Sequence, residues 1–223
     1  MIKDGERTPA MTAPPVDLAR FSPAAFFARA AERLDREPGA AGSELGDDKL
    51  NPGFLIPGAT YRDAAVLIPV VARDPAASVL LTQRTPHLSS HPGQIAFPGG
   101  KIDPTDAGPG AAALREAEEE IGLDPALVET IGYLEPYLTR TGYRIVPVLG
   151  RVDPGFRLKL NAAEVEEAFE VPLDFLMSPE NHRHASRMLL GAPRYFYEMP
   201  FEGRYIWGVT AGIIRRLYER VFD

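Results

Sequence analysis

The stretch GGKIDPTDAGPGAAALREAEEEIGL, Gly99 to Leu123, carries the pattern from which the rest of the chain is read. It opens on a glycine pair and crosses a segment too rich in Pro, Gly and Asp for regular structure. It then reads as a helix from about Ala111 to Ile121, stopped by Gly122, a natural left-handed cap. Laid out at about 100° per residue, Ala113, Leu114, Ala117 and Ile121 share one arc, and Glu116, Glu119 and Glu120 share the neighbouring arc. Glu118 falls outside both. Three carboxylates on one stripe repel one another unless a cation sits between them, and hard divalent ions such as Mg2+ or Mn2+ prefer such oxygen ligands. A solvated face is the ordinary explanation of a Glu-rich helix, and the helix alone does not separate the two. The preceding loop favours the metal: Gly99 and Gly100 let the backbone approach a ligand closely, and a backbone carbonyl there could complete a cation's shell. Arg115, one turn before Glu119, is spaced to hold that carboxylate as an i,i+4 pair.

Working outward, SPAAFFARAAERLDRE from Ser22 has a capping serine and helical periodicity, which predicts one amphipathic helix after a mobile leader of about 20 residues. AAVLIPVVA from Ala64 reads as a buried strand and SVLLTQR from Ser78 as its partner. QIAFPGGK reads as a short strand running into a Gly-rich loop. Beyond the Glu-rich helix, strands are expected near Val128 to Leu134 and Tyr143 to Val152, a helix near Glu164 to Glu170, and strands around Arg194 to Met199. TAGIIRRLYERVF reads as a final helix with Ile213, Ile214, Leu217 and Val221 on one face. With no internal repeat, this interleaving of helix and strand predicts a single α/β domain.

Composition bounds the function. Of 223 residues, 45% are hydrophobic and 25% charged, the balance of a chain able to bury a core. The formal charge of −7 disfavours a long nucleic-acid partner but leaves room for a small phosphorylated ligand held by a few local cations. The absence of cysteine excludes disulfides, thiolate ligands and cysteine nucleophiles, and fits a reducing, cytoplasmic setting. MIKDGERTPAMTAPP lacks the apolar core of a secretory signal, and the longest apolar run, Ala64 to Ala72, is too short to cross a bilayer. No membrane partner is expected.

Arg115 to Leu123, REAEEEIGL, resembles the second half of the Nudix box, and Gly100 resembles its opening glycine. Asp106 stands where that family has Glu, and the spacer from Asp106 to Arg115 holds eight residues where seven are usual. LLTQRTPHLSSHPGQIAFPGG, Leu80 to Gly100, is similar to the extension that precedes the box in the family's coenzyme A diphosphatases, with Thr85 in place of Ser or Ala and Ser89 in place of Arg. The resemblance extends through RDAAVLIPVV, TRTGYRIVPVLG and IWGVTAGII.

The resemblance implies a Nudix α/β/α sandwich, with a mixed sheet and an extra N-terminal helix. The resemblance covers roughly Tyr61 to the C-terminus and leaves the first 50 or so residues unexplained, so the expected division is a leader with that helix in residues 1–50 and the hydrolase domain in 51–223. It implies Mg2+ or Mn2+ held by Gly100, Glu116, Glu119 and Glu120, with Arg115 supporting them and either Glu116 or Glu164 taking a proton. The implied substrate is a small nucleotide of the coenzyme A class, cut at its diphosphate into 4′-phosphopantetheine and adenosine 3′,5′-diphosphate. Arg84, Lys101 and Arg140 are candidate contacts for its charge, with Arg144 beside them. His87 and His91 read either as donors or as surface histidines, Tyr143 either as a base-stacking ring or as core, and Trp207 and Gly208 as packing. Other nucleoside diphosphates such as ADP-ribose or NADH, a binding domain without turnover, and a structural protein with a solvated acidic helix are the alternatives. The oligomeric state is left open, a homodimer included.

Overall fold

The computed structural model describes residues 18–39, 45–46, 50–53, 55, 58–88, 90–189 and 191–223. Most of the expected leader, and Ser89, lie outside them. In chain order the elements are helix α1 (Pro23–Arg33), the two-residue strand β1 (Leu45–Gly46), β2 (Arg62–Val71), β3 (Ser78–Arg84), β4 (Ile95–Ala96), β5 (Gly99–Lys101) and α2 (Pro109–Ile121). There follow β6 (Val128–Tyr133), β7 (Tyr137–Leu138), β8 (Tyr143–Val152), β9 (Val165–Pro172), the one-turn helix α3 (Leu173–Leu176), β10 (Arg183–Leu189), β11 (Ala192–Phe201), β12 (Arg204–Trp207) and α4 (Val209–Phe222).

The centre is β2, paired in parallel with β8 over ten residues, from Arg62 opposite Tyr143 to Val71 opposite Val152. Its continuous apolar run reflects burial on both faces. Ala65, Leu67 and Val71 pack with Ala112, Ala113, Ala117 and Ile121 of α2, whereas Ile68 and Val70 pack with Ile213, Ile214, Leu217 and Val221 of α4. The other edge of β2 is divided between β5, opposite residues 64–66, and β3, opposite residues 70–71. Pro69 falls between these partners, so its missing N–H breaks no ladder bond there. With β6 antiparallel to β8 and β9 antiparallel to β3, the sheet is mixed. Helix α2 covers one face and α1 with α4 the other, which is the expected α/β/α sandwich. A smaller antiparallel sheet, β10–β11–β12, tucks Met199 and Ile206 into the α4 side of the core.

Helix α1 begins where expected, with Ser22 accepting from the Ala25 N–H. Its buried residues Phe26, Phe27 and Ala30 join the core, and Phe26 lies 6.3 Å from the ring of Phe222. Two expectations fail. The GGK of QIAFPGGK is no loop but strand β5, lying so close to β2 that a Cβ on Gly99 would stand 2.4 Å from the Ala65 carbonyl oxygen. The expected helix from Glu164 to Glu170 is instead strand β9. Its glutamates and alanine favour helix by only a few tenths of a kcal/mol each, and a ladder with β3 from Arg84 opposite Val165 to Ser78 opposite Pro172 outweighs that preference. Strands β10 and β12 were not expected as separate elements.

Candidate active site

Helix α2 is aimed by its ends. Pro109 occupies its first turn, where a missing N–H costs nothing, and Gly122 ends it in the left-handed conformation (φ 66°), its N–H donating to the Ala117 and Glu118 carbonyls. A Cβ on Gly122 would lie 2.9 Å from the Lys159 nitrogen, so the segment leading to β9 packs directly on the cap. With its alanine face on the sheet, α2 directs its glutamates in three ways. Glu120 is buried, with a side chain 6% exposed, whereas Glu119 is 59% exposed and Glu118 faces solvent. Glu116 is half-buried against β5, its carboxylate so close over Gly100 that a Cβ there would stand 2.5 Å from it.

Arg115 organises the outer side of this group. Its guanidinium donates to Asp106 through Nε (3.0 Å) and Nη2 (3.1 Å), to Glu119 at 3.1 Å and to the Lys101 carbonyl at 3.1 Å, and pairs with Glu116 at 3.1 Å. The Arg115 bonds, together with the Asp103 N–H, hold the Asp106 carboxyl below the usual range. Asp106 thus ties the irregular segment before α2 to the helix, a job no spacing argument assigned to it. The expected Arg115–Glu119 pair is present.

On the inner side, Glu120 accepts from the Gly99 N–H at 3.1 Å and lies 3.9 Å from the Arg84 guanidinium. Burial nevertheless pushes its carboxyl up to about 7, helped by the charges of Glu116 and Glu164. Burial also raises Glu116, with Glu119 and Glu164 adding repulsion. Glu164 comes from just before β9 and reaches this group from the far side. Its side chain accepts from Asn161 (3.1 Å), and its backbone carbonyl accepts from the Thr85 N–H (2.9 Å).

No three acidic or imidazole side chains among the described residues converge closely enough to form a ready-made cation cage, because Glu119 is turned toward Arg115. The fit to a divalent ion rests on chemistry: hard oxygen donors only, one of them buried at an energetic cost, and a backbone at Gly100 lying against the Glu116 carboxylate with no side chain in the way. The donor set suits Mg2+ or Mn2+.

A cleft of about 510 Å3 opens beside these residues. Arg84, Gly100 and Lys101 line it toward α2, and Val209, Thr210 and Ile213 of α4 form another wall. Tyr143 also lines it, not core but half-exposed at the start of β8, with the Arg62 guanidinium 4.2 Å from its ring centre. His91 lines the cleft, and His87 is not among its lining residues. Arg144 pairs with Asp63 at 3.5 Å. Arg140 lines a separate depression. Arg62, Thr139, Thr141 and Thr210 fall in segments similar to the family but were not singled out as site residues; the pairing of β2 with β8 and the approach of α4 bring them to the cleft.

A family model described as NUDIX domain matches residues 60–190. A protein of Escherichia coli K12 described as an uncharacterized Nudix hydrolase, NudL, is 45% identical over 157 residues, covering 70% of this chain and 81% of its own length. The protein of that description from Shigella boydii serotype 4 matches to the same extent. Among solved structures, the NUDIX domain of Shewanella oneidensis NrtR complexed with ADP ribose aligns at 18% identity and TM-score 0.46, over 72% of this chain and 88% of that one. With the family model spanning more than half of its residues and close sequence relatives across most of their length, this chain belongs to the Nudix family and is a hydrolase of phosphoric anhydrides.

Proposed function

We propose that the protein hydrolyses the diphosphate bond of coenzyme A or a derivative, releasing 4′-phosphopantetheine and adenosine 3′,5′-diphosphate. The observation that carries this reading is the path of residues 80–100. Arg84, Ser90, His91, Gln94, Phe97 and Gly100, all from the segment similar to the coenzyme A diphosphatase extension, line one cleft directly beside the carboxylates of α2. Substrate discrimination must come from groups away from the reacting bond, and this segment is where such groups would be met.

In this reading Glu116, Glu119, Glu120 and the Gly100 carbonyl hold Mg2+ or Mn2+. The bound ion supplies charge withdrawal from the diphosphate oxygens and eases loss of a proton from water. Arg84 and Lys101 line the cleft on that side and carry the charge that offsets the diphosphate. Arg115, fixed by Asp106, restrains Glu119 and Glu116 from outside the cleft. Glu164, held by Asn161 next to Glu116 and Glu120, accepts the proton released as water attacks phosphorus. The apolar wall formed by Val66, Ile145, Val209 and Ile213 suits an uncharged chain such as the pantetheine arm.

The test is catalytic efficiency for coenzyme A, dephospho-coenzyme A, ADP-ribose and NADH under one Mg2+ or Mn2+ condition. Coenzyme A is expected to be the best of the four. A lead of about tenfold or more for ADP-ribose or NADH would overturn the substrate while leaving the family intact.

A further inference from the structure

Alternate residues of the two central strands, Arg62, Ala64 and Val66 of β2 and Tyr143 and Ile145 of β8, line the reaction cleft, and the residues between them do not. That period of two places their side chains on one face of the sheet, the face on which Val66 and Ile145 pack toward the core side of α4. The register fixes where Arg62 stands. Val66 lies opposite Gly99, whose N–H bonds the Glu120 carboxylate, and Arg62 is four residues of strand away, about 13 Å at about 3.3 Å per residue. Arg62 and Tyr143 are register partners on the neighbouring strands, so both belong to the cleft but stand apart from the carboxylates.

These two side chains form a stack. The Arg62 guanidinium carbon lies 4.2 Å from the centre of the Tyr143 ring, the distance of a cation resting on an aromatic face. Its Nη2 donates to the Thr141 carbonyl (3.3 Å) and its backbone N–H to the Gly142 carbonyl (2.9 Å), which commits one edge of the guanidinium to the turn before β8. The same turn is tied to Tyr143, whose N–H donates to the Thr139 hydroxyl at 3.0 Å. The stack is therefore built before any ligand arrives, which spares a ligand the cost of ordering it. Among the described residues no carboxylate forms an ion pair with Arg62; the neighbouring Asp63 pairs with Arg144 instead. Arg62 is exposed and Tyr143 half-exposed.

A phosphate is met by the N–H edges of a guanidinium, and one edge of Arg62 is already taken. What the stack offers is planes, and the planes of guanidinium and phenol groups are surfaces on which nucleobases stack. We infer that Arg62 and Tyr143 form the platform that receives the substrate's nucleobase, placing the nucleoside along β2 away from the bond that is cut. The inference rests on the proposed function only in requiring an adenine nucleotide within the substrate, which coenzyme A shares with ADP-ribose and NADH.

The test is calorimetric binding, in the presence of Mg2+, of AMP and of ribose 5-phosphate, which lacks only the base; it needs no turnover. The platform requires AMP to bind the wild-type protein about tenfold or more tightly than ribose 5-phosphate, and this advantage to fall to near one in R62A and in Y143A. Y143F and Y143W should keep the advantage because they keep a ring, and R62K should keep less of it because an ammonium has no plane. R62A, at an exposed position, decides the matter should Y143A fold poorly. Equal binding of the two ligands by the wild type overturns the inference, as does an advantage that survives in R62A. A loss in R62A shared equally by AMP and ribose 5-phosphate makes Arg62 a phosphate contact and also overturns it. 4′-Phosphopantetheine is the third ligand. If R62A and Y143A weaken it and leave AMP unchanged, the stack meets the other arm of coenzyme A, and the platform falls while the coenzyme A reading stands. A base-dependent advantage lost in both variants, in a protein that does not cleave coenzyme A, supports the platform and overturns only the substrate.

Discussion

Glu118, Glu119 and Glu120 are consecutive and chemically alike, yet the helix gives them three environments: solvent, the Arg115 fork, and a buried position under the Gly99 N–H. This supplies an internal control for the proposed metal stripe. Glu119→Gln and Glu120→Gln should each lower turnover by about two orders of magnitude or more, and Glu118→Gln should do little. Equal losses at all three would mean that the stripe is wrongly placed. Glu164 is separable from these by its role: Glu164→Gln should lower kcat and alter the pH profile while leaving the Mg2+ or Mn2+ dependence nearly intact. An unaltered rate would remove it from the proton transfer. Burial of Glu120 also has a consequence for stability. With its carboxyl raised from an ordinary 4.5 to about 7, the folded, metal-free chain keeps a proton that the unfolded chain has already released. Stability should therefore fall as pH rises through that window, by on the order of 1–3 kcal/mol. Glu116, also raised by burial, acts in the same direction. Glu170 and Asp106 are shifted down, so their contributions are lost only at more acid pH. Urea unfolding in a chelator at about pH 5 and about pH 8 measures the effect. Glu120→Gln should flatten the slope, and a variant as steep as wild type would count against the buried-carboxylate account.

At the scale of elements, strand β5 and helix α2 form one device, and two adjacent glycines serve it differently. At Gly99 an added Cβ meets backbone, the Ala65 oxygen at 2.4 Å, whereas at Gly100 it meets only the end of a side chain, the Glu116 carboxylate at 2.5 Å. Gly99→Ala should therefore cost about 1–3 kcal/mol of stability or more, because strand β2 cannot yield cheaply. Gly100→Ala should melt near wild type but lose activity, by about a hundredfold if Glu116 shifts by 1 Å. Thermal melts and kinetic assays on the two variants distinguish these outcomes. A Gly100→Ala protein with full activity would show that the contact between Gly100 and Glu116 is not part of the machinery. Strand β9 shows the same coupling from the other side, since its ladder with β3 fixes the distance between Arg84 and Glu164 across the group of carboxylates.

At the scale of the molecule, α4 joins two functions along its length. Val209, Thr210 and Ile213 at its start line the cleft, and the Thr210 hydroxyl donates to the Ile95 carbonyl at 3.0 Å. About 20 Å further along, Phe222 meets α1 through Phe26, and Arg220 bonds to Glu135, Asp35 and the Arg33 carbonyl. Helix α1 is thus part of the core. Phe26→Ala should destabilise the protein by about 3–5 kcal/mol, measured by urea unfolding. At temperatures well below its melting point it should keep its KM, because the cavity opens at the end of α4 remote from the cleft. A large KM change would instead show that α1 positions the cleft wall.

The sequence by itself determined the helix of the site, its arc of glutamates, its left-handed stop, the buried run of β2 and the outer helices, because each of these rests on short-range periodicity and on the steric character of Gly and Pro. It misread 164–170, where the helical leaning of Glu and Ala concealed a strand whose stability comes from a partner some 85 residues away. It read Gly99–Lys101 as a loop, because glycines that allow close approach of two strands look the same as glycines that allow a turn. It grouped Arg140 with the diphosphate contacts, and only the fold shows that Arg140 lines a different depression from its neighbours Thr139 and Thr141. Local chemistry is written residue by residue and can be read that way, but which hollow a residue lines, and what stands opposite it, depends on strand pairings between distant segments that only the tertiary structure decides.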